Sequence, residues 1–369
     1  MSNDQLLYNL GLSFIPKIGD ITAKKLVAYT GSAESLFKEK KKILEKIPGI
    51  GSGLAKSVTS QNILKLAEKE IELAKKHNIN ILYYLDKDYP QRLLHCNDAP
   101  VILYRKGNCN LNKTKILSFV GTRNSSIYGR NMCEKLIDDL KNRGHDVIIT
   151  SGLAYGIDIC SHKAALKSDL ETVAVLGHGL NFLYPSLHAA IAEKIKLKGC
   201  LLTEFPFGQK PEPSFFVKRN RIVAGMADAT IVIESGKKGG ALITADLANS
   251  YNRDVFAVPG NTDNITSEGC NFLIKTNKAA LIESVEDIEY LLGWDMKKEK
   301  NIAVQMQLFK DLSAEEQLIV DHLKKNGQMP FDHIYLETKL PVSTVSAILL
   351  NLEFSGLVKS MPGKMYKLV

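Results

Sequence analysis

Ile116-Leu117-Ser118-Phe119-Val120, followed by Gly121-Thr122-Arg123-Asn124-Ser125-Ser126-Ile127-Tyr128-Gly129, is the stretch on which the reading of this chain turns. A mostly apolar run ends in a glycine turn that carries an arginine, and a helix follows from about Arg130. Cys133, Leu136, Ile137 and Leu140 fall at i, i+3, i+4 and i+7, the spacing of one apolar helix face. The same order then returns: Val147–Thr150, the turn Ser151-Gly152-Leu153-Ala154-Tyr155-Gly156, and a helix from Ile157. A glycine turn that opens a helix offers unpaired backbone N–H groups and the positive end of the helix dipole to an anion. Arg123 adds a planar, permanently charged fork suited to phosphate. Two such turns after neighbouring parallel strands open on one carboxyl edge, where ligands of doubly wound sheets bind. The pair predicts a phosphate-binding platform.

Working outward, strands and helices alternate from about 115 to 294, which predicts a parallel sheet covered on both faces. Further strands are expected at Thr172–Leu176, Leu201–Thr203, Thr230–Glu234, Val255–Val258 and Ala280–Ile282. After the Thr230–Glu234 run of that series, Ser235-Gly236-Lys237-Lys238-Gly239-Gly240-Ala241 makes a third glycine turn, with two lysines, ahead of a helix over Leu242–Asn249. Residues 73–112 read as a connector with the look of an added strand, around Ile79–Leu85 and Ala99–Tyr104. Near the N-terminus a short repeat stands out: Ile15-Pro16-Lys17-Ile18-Gly19 leads to Ala23-Lys24 as Ile47-Pro48-Gly49-Ile50-Gly51 leads to Ala55-Lys56. It resembles a pair of helix-hairpin-helix motifs, whose turn amides and lysine can touch a nucleic-acid backbone without reading sequence. Helix packing alone is an equal alternative for it. At the other end, Ser313-Ala314-Glu315-Glu316 is a capping box. Three helices and a terminal hairpin follow, which is a small winged-helix plan. Its third helix, Val342–Phe354, has no lysine or arginine, so a protein-contact or structural role is favoured over groove reading. The expected division is 1–72 helix-hairpin-helix or SAM-like, 73–294 extended Rossmann-like, 295–310 linker and 311–369 winged-helix-like.

Composition bounds the partners. The chain has 369 residues, 45% hydrophobic and 24% charged, ordinary for globular domains with full cores. Its net charge of +8 suggests an anionic partner, and +6 of that lies within residues 1–110. The central segment, 111–294, carries only +1, so positive charge there must be clustered to hold phosphate. No apolar run approaches the roughly 18 residues of a membrane span. Met1–Phe14 lacks the basic and apolar regions of a secretory signal. The six cysteines are scattered without a C-x-x-C pair, so buried free thiols and a cytoplasmic address are expected.

The densest cationic element of the centre is Lys218-Arg219-Asn220-Arg221, preceded by Phe215 and Phe216. Rings stack on unpaired bases while guanidinium groups hold phosphates, which suits a single strand. At least one of the two arginines is expected to face the ligand. His178 stands alone, and a loop role is expected for it. Asp158 and His162 lie four apart, and a hydrogen-bonded helix pair is favoured over a catalytic dyad. No G-x-S-x-G, H-E-x-x-H, Walker loop or G-x-G-x-x-G fingerprint occurs. Catalytic residues, a metal and a cofactor are therefore not expected.

VGTRNSSIYG, SGLAYGIDICSHKAAL, VLGHGLNFLYP, FVKRNRIVAGMADATIVIES, GGALITADLANSYNRDVFAVPG and SEGCNFLIKTNKAALIES succeed one another between about 120 and 285. In that order they closely resemble the DNA-processing protein A (DprA/Smf) family. The resemblance implies single-stranded DNA held in a pocket of an extended Rossmann-like domain, a homodimer, and loading of a RecA-type recombinase in natural transformation. It assigns the phosphate loop to Gly121, Thr122, Arg123, Tyr128 and Gly129 and the second turn to Ser151 and Gly152. It places Phe216, Arg219, Asn220 and Arg221 on the basic helix; the residue chemistry adds Lys218 beside them, and Lys238, Gly239 and Gly240 of the third turn, as further DNA- or phosphate-binding candidates. The chain departs from the family pattern at Gly239, where serine is usual, at Val217, where proline is usual, and mildly at Thr122. The competing reading is a Rossmann-like nucleotide enzyme of the lysine-decarboxylase-like phosphoribohydrolase group. That group's P-G-G-x-G-T-x-x-E signature needs a glutamate that the loop Lys238–Leu247 lacks.

Overall fold

The computed structural model describes residues 3–58, 62–294 and 312–369, and these divide into two compact units, Met1–Glu283 and Ser284–Val369. The apolar runs become strands buried on both faces: β3 (Ile116–Gly121), β4 (Ile148–Ser151), β5 (Thr172–Val175), β6 (Gly199–Thr203), β7 (Ala229–Glu234) and β8 (Asp254–Ala257). A short β9 (Ala280–Leu281) closes the series. Before them in the chain come β1 (Asn80–Tyr83) and β2 (Ile102–Gly107). The sheet runs β1-β2-β6-β5-β4-β3-β7-β8-β9. β3 to β9 pair in parallel, while β1 and β2 add an antiparallel ribbon at the β6 edge. The connector therefore contributes two strands rather than one. β3 has β4 on one side and β7 on the other, so the strand order reverses there and a crevice opens beyond the carboxyl ends.

Helices fill the crossovers. α8 (Ile127–Asn142) buries Cys133, Leu136, Ile137 and Leu140, the face its spacing predicts. α9 (Ile157–Lys167), α10 (Ala189–Lys198), α11 (Pro213–Met226), α12 (Gly240–Ser250) and α13 (Glu268–Lys275) follow in turn. Each buried leucine, isoleucine or phenylalanine of this core contributes about 1.5–3 kcal/mol. All six cysteines are free and buried.

The N-terminal segment is helical: α1 (Asn3–Gly11), α2 (Asp20–Thr30), α3 (Ala33–Lys38), α4 (Lys41–Leu44), α5 (Ser52–Val58) and α6 (Asn62–Lys76), with the short α7 (Gln91–Leu94) after β1. The two copies of the repeat fold alike, with Ala23 N–H donating to Gly19 O at 2.9 Å and Ala55 N–H to Gly51 O at 3.0 Å. Lys25 Nζ clamps them by donating to Pro48 O at 2.6 Å. Lys24, the lysine of the first copy, reaches Asn97 O at 3.3 Å, and burial lowers its pKa. Leu10, Leu26, Leu36 and Ile71 share one core with Tyr83, Val101 and Ile102 of the sheet edge. The expected division at 72/73 falls inside α6.

In the second unit, α14 (Val285–Leu292) is capped by Ser284 and Asp287. The expected linker at 295–310 lies outside the described residues. Beyond it come α15 (Ala314–Asn326), with the Ser313/Glu316 capping box, then β10 (Gln328–Pro330), α16 (Phe331–Thr338), α17 (Val342–Phe354), β11 (Val358–Met361) and β12 (Met365–Leu368). A three-stranded sheet, β10-β12-β11, backs the helices as a winged helix does. Its core is Ile319, Leu323, Ile334, Val345, Leu349 and Leu352.

Candidate anion-binding site

A cavity of about 400 Å³ lies at the carboxyl ends of β3, β4 and β7, lined also by α11 and the first turns of α12. The three glycine turns meet there. Of the residues assigned from sequence, Gly121, Thr122, Arg123, Gly152, Phe216, Arg219, Asn220, Gly239 and Gly240 line it. Val120, Ala154, Asp158, Ile243 and Thr244 join them without having been assigned.

The turns are more self-contained than the sequence predicts. In the first, Thr122 N–H donates to Glu234 O at 2.7 Å and Asn124 N–H to Thr122 Oγ1 at 3.2 Å. Ser126 N–H donates to the Glu234 carboxylate at 2.8 Å, and Gly129 N–H to Ser126 Oγ at 3.1 Å. Thr266 Oγ1 donates to the other Glu234 oxygen at 2.5 Å. A Cβ at Gly129 would strike that carboxylate and force it to shift. In the second turn Asp158 accepts from Ala154 N–H at 3.4 Å, and Gly152 N–H also hydrogen-bonds it. Several amides expected to await an anion are thus satisfied internally. The third turn differs: α12 begins at Gly240 behind Gly239, with no side chain capping it. Gly239 N–H is taken by Gly236 O at 3.0 Å and Leu242 N–H by Gly239 O at 3.1 Å, while Gly240 and Ala241 line the cavity and bring the positive end of the helix dipole to it.

Two guanidinium groups supply the charge. Arg123 is exposed at the rim, while Arg219 is buried in the wall, 4% exposed. Arg219 donates to Val175 O, and its Nε has no protein partner. Burial pushes its pKa down to about 10, a loss opposed by Asp158, so it stays cationic at neutral pH. Burial raises the Asp158 carboxyl, and the Arg219 charge pulls it back. Gly152 leaves room for it, since a Cβ there would overlap the Arg219 guanidinium and force that side chain to shift. Phe216 leans against Tyr184, with ring centroids 5.5 Å apart, and puts an aromatic surface on the lining.

Six assigned residues lie elsewhere. Arg221 does not reach the cavity; it donates to Asp98 O, to Glu204 at 2.6 Å and to Asp20 at 3.2 Å. Residues two apart on a helix point to different faces, which separates it from Arg219. Lys218 pairs with Glu204 at 2.6 Å beside the Phe205 ring. The Ser151 hydroxyl donates to Phe119 O at 2.6 Å inside the sheet edge. Tyr128 OH bonds Pro259 O at 2.8 Å, Gly129 packs on Glu234, and Lys238 is exposed outside the lining. The expected Asp158–His162 pair does not form: His162 Nδ1 meets Thr172 Oγ1 at 2.7 Å instead. His178 bridges its own loop, with Nδ1 at 3.0 Å from Gly179 O and Nε2 accepting from Tyr184 N–H.

A doubly wound sheet with a cationic crevice at its switch point, followed in the chain by a winged helix, defines an extended Rossmann-like protein. Residues 80–293 match the family model for DNA recombination-mediator protein A, and residues 307–364 match the DprA winged helix domain. Protein Smf of Synechocystis is 31% identical over the full length of both chains. DNA processing protein DprA of Streptococcus pneumoniae is 40% identical over 55% of this chain and 71% of its own. The X-ray structure of the Streptococcus pneumoniae protein covers 77% of this chain and 97% of that one, at 31% identity and a TM-score of 0.64. A Helicobacter pylori DNA processing protein A, whose structure addresses its single-stranded DNA binding mode, covers 59% of this chain and 96% of its own at 26% identity and a TM-score of 0.53. The chain belongs to the DNA recombination-mediator protein A family, the DprA/Smf proteins.

Proposed function

We propose that this chain is a non-enzymatic single-stranded DNA-binding protein that protects incoming strands and loads a RecA-type recombinase, acting as a cytoplasmic homodimer in natural transformation and recombination. The observation that carries the binding step is the cavity itself: Arg123 and the buried Arg219 face it together with the uncapped start of α12, and Phe216 lines it. Guanidinium groups and a helix start take phosphate, the ring takes a base face, and no array of base-edge readers accompanies them. The structure of the Helicobacter pylori relative supports the same ligand.

The nucleotide-hydrolase reading lacks a base. Asp158, a carboxylate on the lining, is engaged by two turn amides and offset by Arg219. The test is titration of the full chain with labelled oligothymidylate, a matched duplex and free nucleotides at low and moderate salt. Single strands should bind best, and affinity should fall steeply with salt as displaced counterions are restored. A flat salt profile, equally tight duplex binding, or nucleotide hydrolysis contradicts the proposal.

A further inference from the structure

Arg123 borders two spaces. On its other side a second groove of about 410 Å³ runs between α8 and α9, lined by Arg123, Arg130, Glu134, Tyr155, Ile159 and Lys163. Three cations face one carboxylate there. Arg130 is exposed and donates to Ser125 O at 2.5 Å, which holds its guanidinium against the first turn. Tyr155 is 42% exposed although it sits in the second turn, and it stands edge-on to the buried His188 at 5.1 Å between centroids. A half-exposed ring braced by another ring, with basic side chains around it, is how a stacking surface for a strand without a partner is made.

We infer that this α8–α9 groove is a second nucleotide subsite, continuous with the cavity across Arg123, which holds the part of a single strand that leaves it. The inference rests on the single-strand reading above and extends it. A cavity of about 400 Å³ lies near the lower end of the ~300–1,000 Å³ typical of small-ligand sites, so a longer strand must run out of it. The groove beyond Arg123 offers that strand phosphate contacts at Arg130 and Lys163 and a base platform at Tyr155. None of these three side chains was assigned from sequence, because only the fold brings the second turn beside α8.

The experiment compares oligothymidylates of about 4 and about 16 nucleotides on the full chain, near the ends of the usual range of single-strand site sizes. The variants are Arg130→Ala with Lys163→Ala, Tyr155→Ala, Tyr155→Phe, and Arg123→Ala as the shared-wall variant, each checked by its melting curve. The double variant and Tyr155→Ala should lose about tenfold in affinity for the long strand. They should keep the short one, Tyr155→Phe should bind both normally, and Arg123→Ala should weaken both. Unchanged long-strand affinity in the double variant, or equal losses on both lengths, overturns the subsite while leaving the cavity reading intact. A wild-type chain that binds neither length overturns both.

Discussion

A single methyl group at Gly152 probes the site without removing any charge. An added Cβ there would overlap the Arg219 guanidinium, so Gly152→Ala must push that side chain from the cavity wall. Backbone strain plays no part, because Gly152 is not among the positive-φ glycines. Two costs follow. Crowding a packed wall destabilises by about 1–3 kcal/mol. Misplacing one charged phosphate contact removes roughly 1.5–3 kcal/mol of binding, which is about 10- to 150-fold in Kd. Asp158 also loses the cation that offsets its burial, so its carboxyl moves further upward. Anisotropy with labelled oligothymidylate reads the affinity, and circular dichroism melting reads the fold. Gly208→Ala is the control, since a Cβ there meets nothing within 4 Å and the residue does not line the cavity. Wild-type affinity in a normally folded Gly152→Ala protein, or an equal loss in the control, refutes the placement of Arg219.

Arg123→Ala should weaken single-strand binding far more than Lys238→Ala, by about 1.5–3 kcal/mol against a few tenths; Arg123 lines both grooves and Lys238 neither. Equal losses in the two folded variants, measured in the same titration, would contradict that ranking. His162 is held neutral by burial, with its pKa pushed down to about 3 from 6.5, and Nε2 has no partner. The unfolded chain takes up a proton below pH 6.5 that the folded chain refuses, so the stability tied to this group is present above that pH and drains away as pH falls toward 3. His162→Gln should flatten the decline by up to about 1.4 kcal/mol per pH unit. Parallel melting-temperature profiles for variant and wild type over that window would show that another group governs it.

The parallel core was legible because its strands are apolar runs bounded by glycine turns and its helices keep one period. The ribbon of β1 and β2 was half seen: its residues read as a connector, and only pairing with β6 makes them sheet. β10 escaped because three residues carry no period. Within the site, Arg123, Arg219 and Phe216 could be picked out by residue type and family pattern. Arg221 could have been set apart on helical spacing alone, since it lies two residues from Arg219. Its partner Asp20 is 201 residues away in the chain, and no local pattern announces that bond. The same holds for Glu234 and Ser126, 108 residues apart. The winged-helix plan followed from its capping box and terminal hairpin, both local signals.

Glu234 deserves its place for what it does to time rather than to affinity. One carboxylate receives the Ser126 amide and the Thr266 hydroxyl, and the carbonyl of the same residue receives Thr122. The loop after β3 is therefore stitched in shape by the protein's own groups, so that on the proposed function it would not have to order when a strand is captured. Encounter can then proceed at the pace set by diffusion and charge, with no slow rearrangement to wait for. Sequence changes around the cavity that keep its charge should accordingly be felt in how long a strand stays, and hardly in how quickly it is caught.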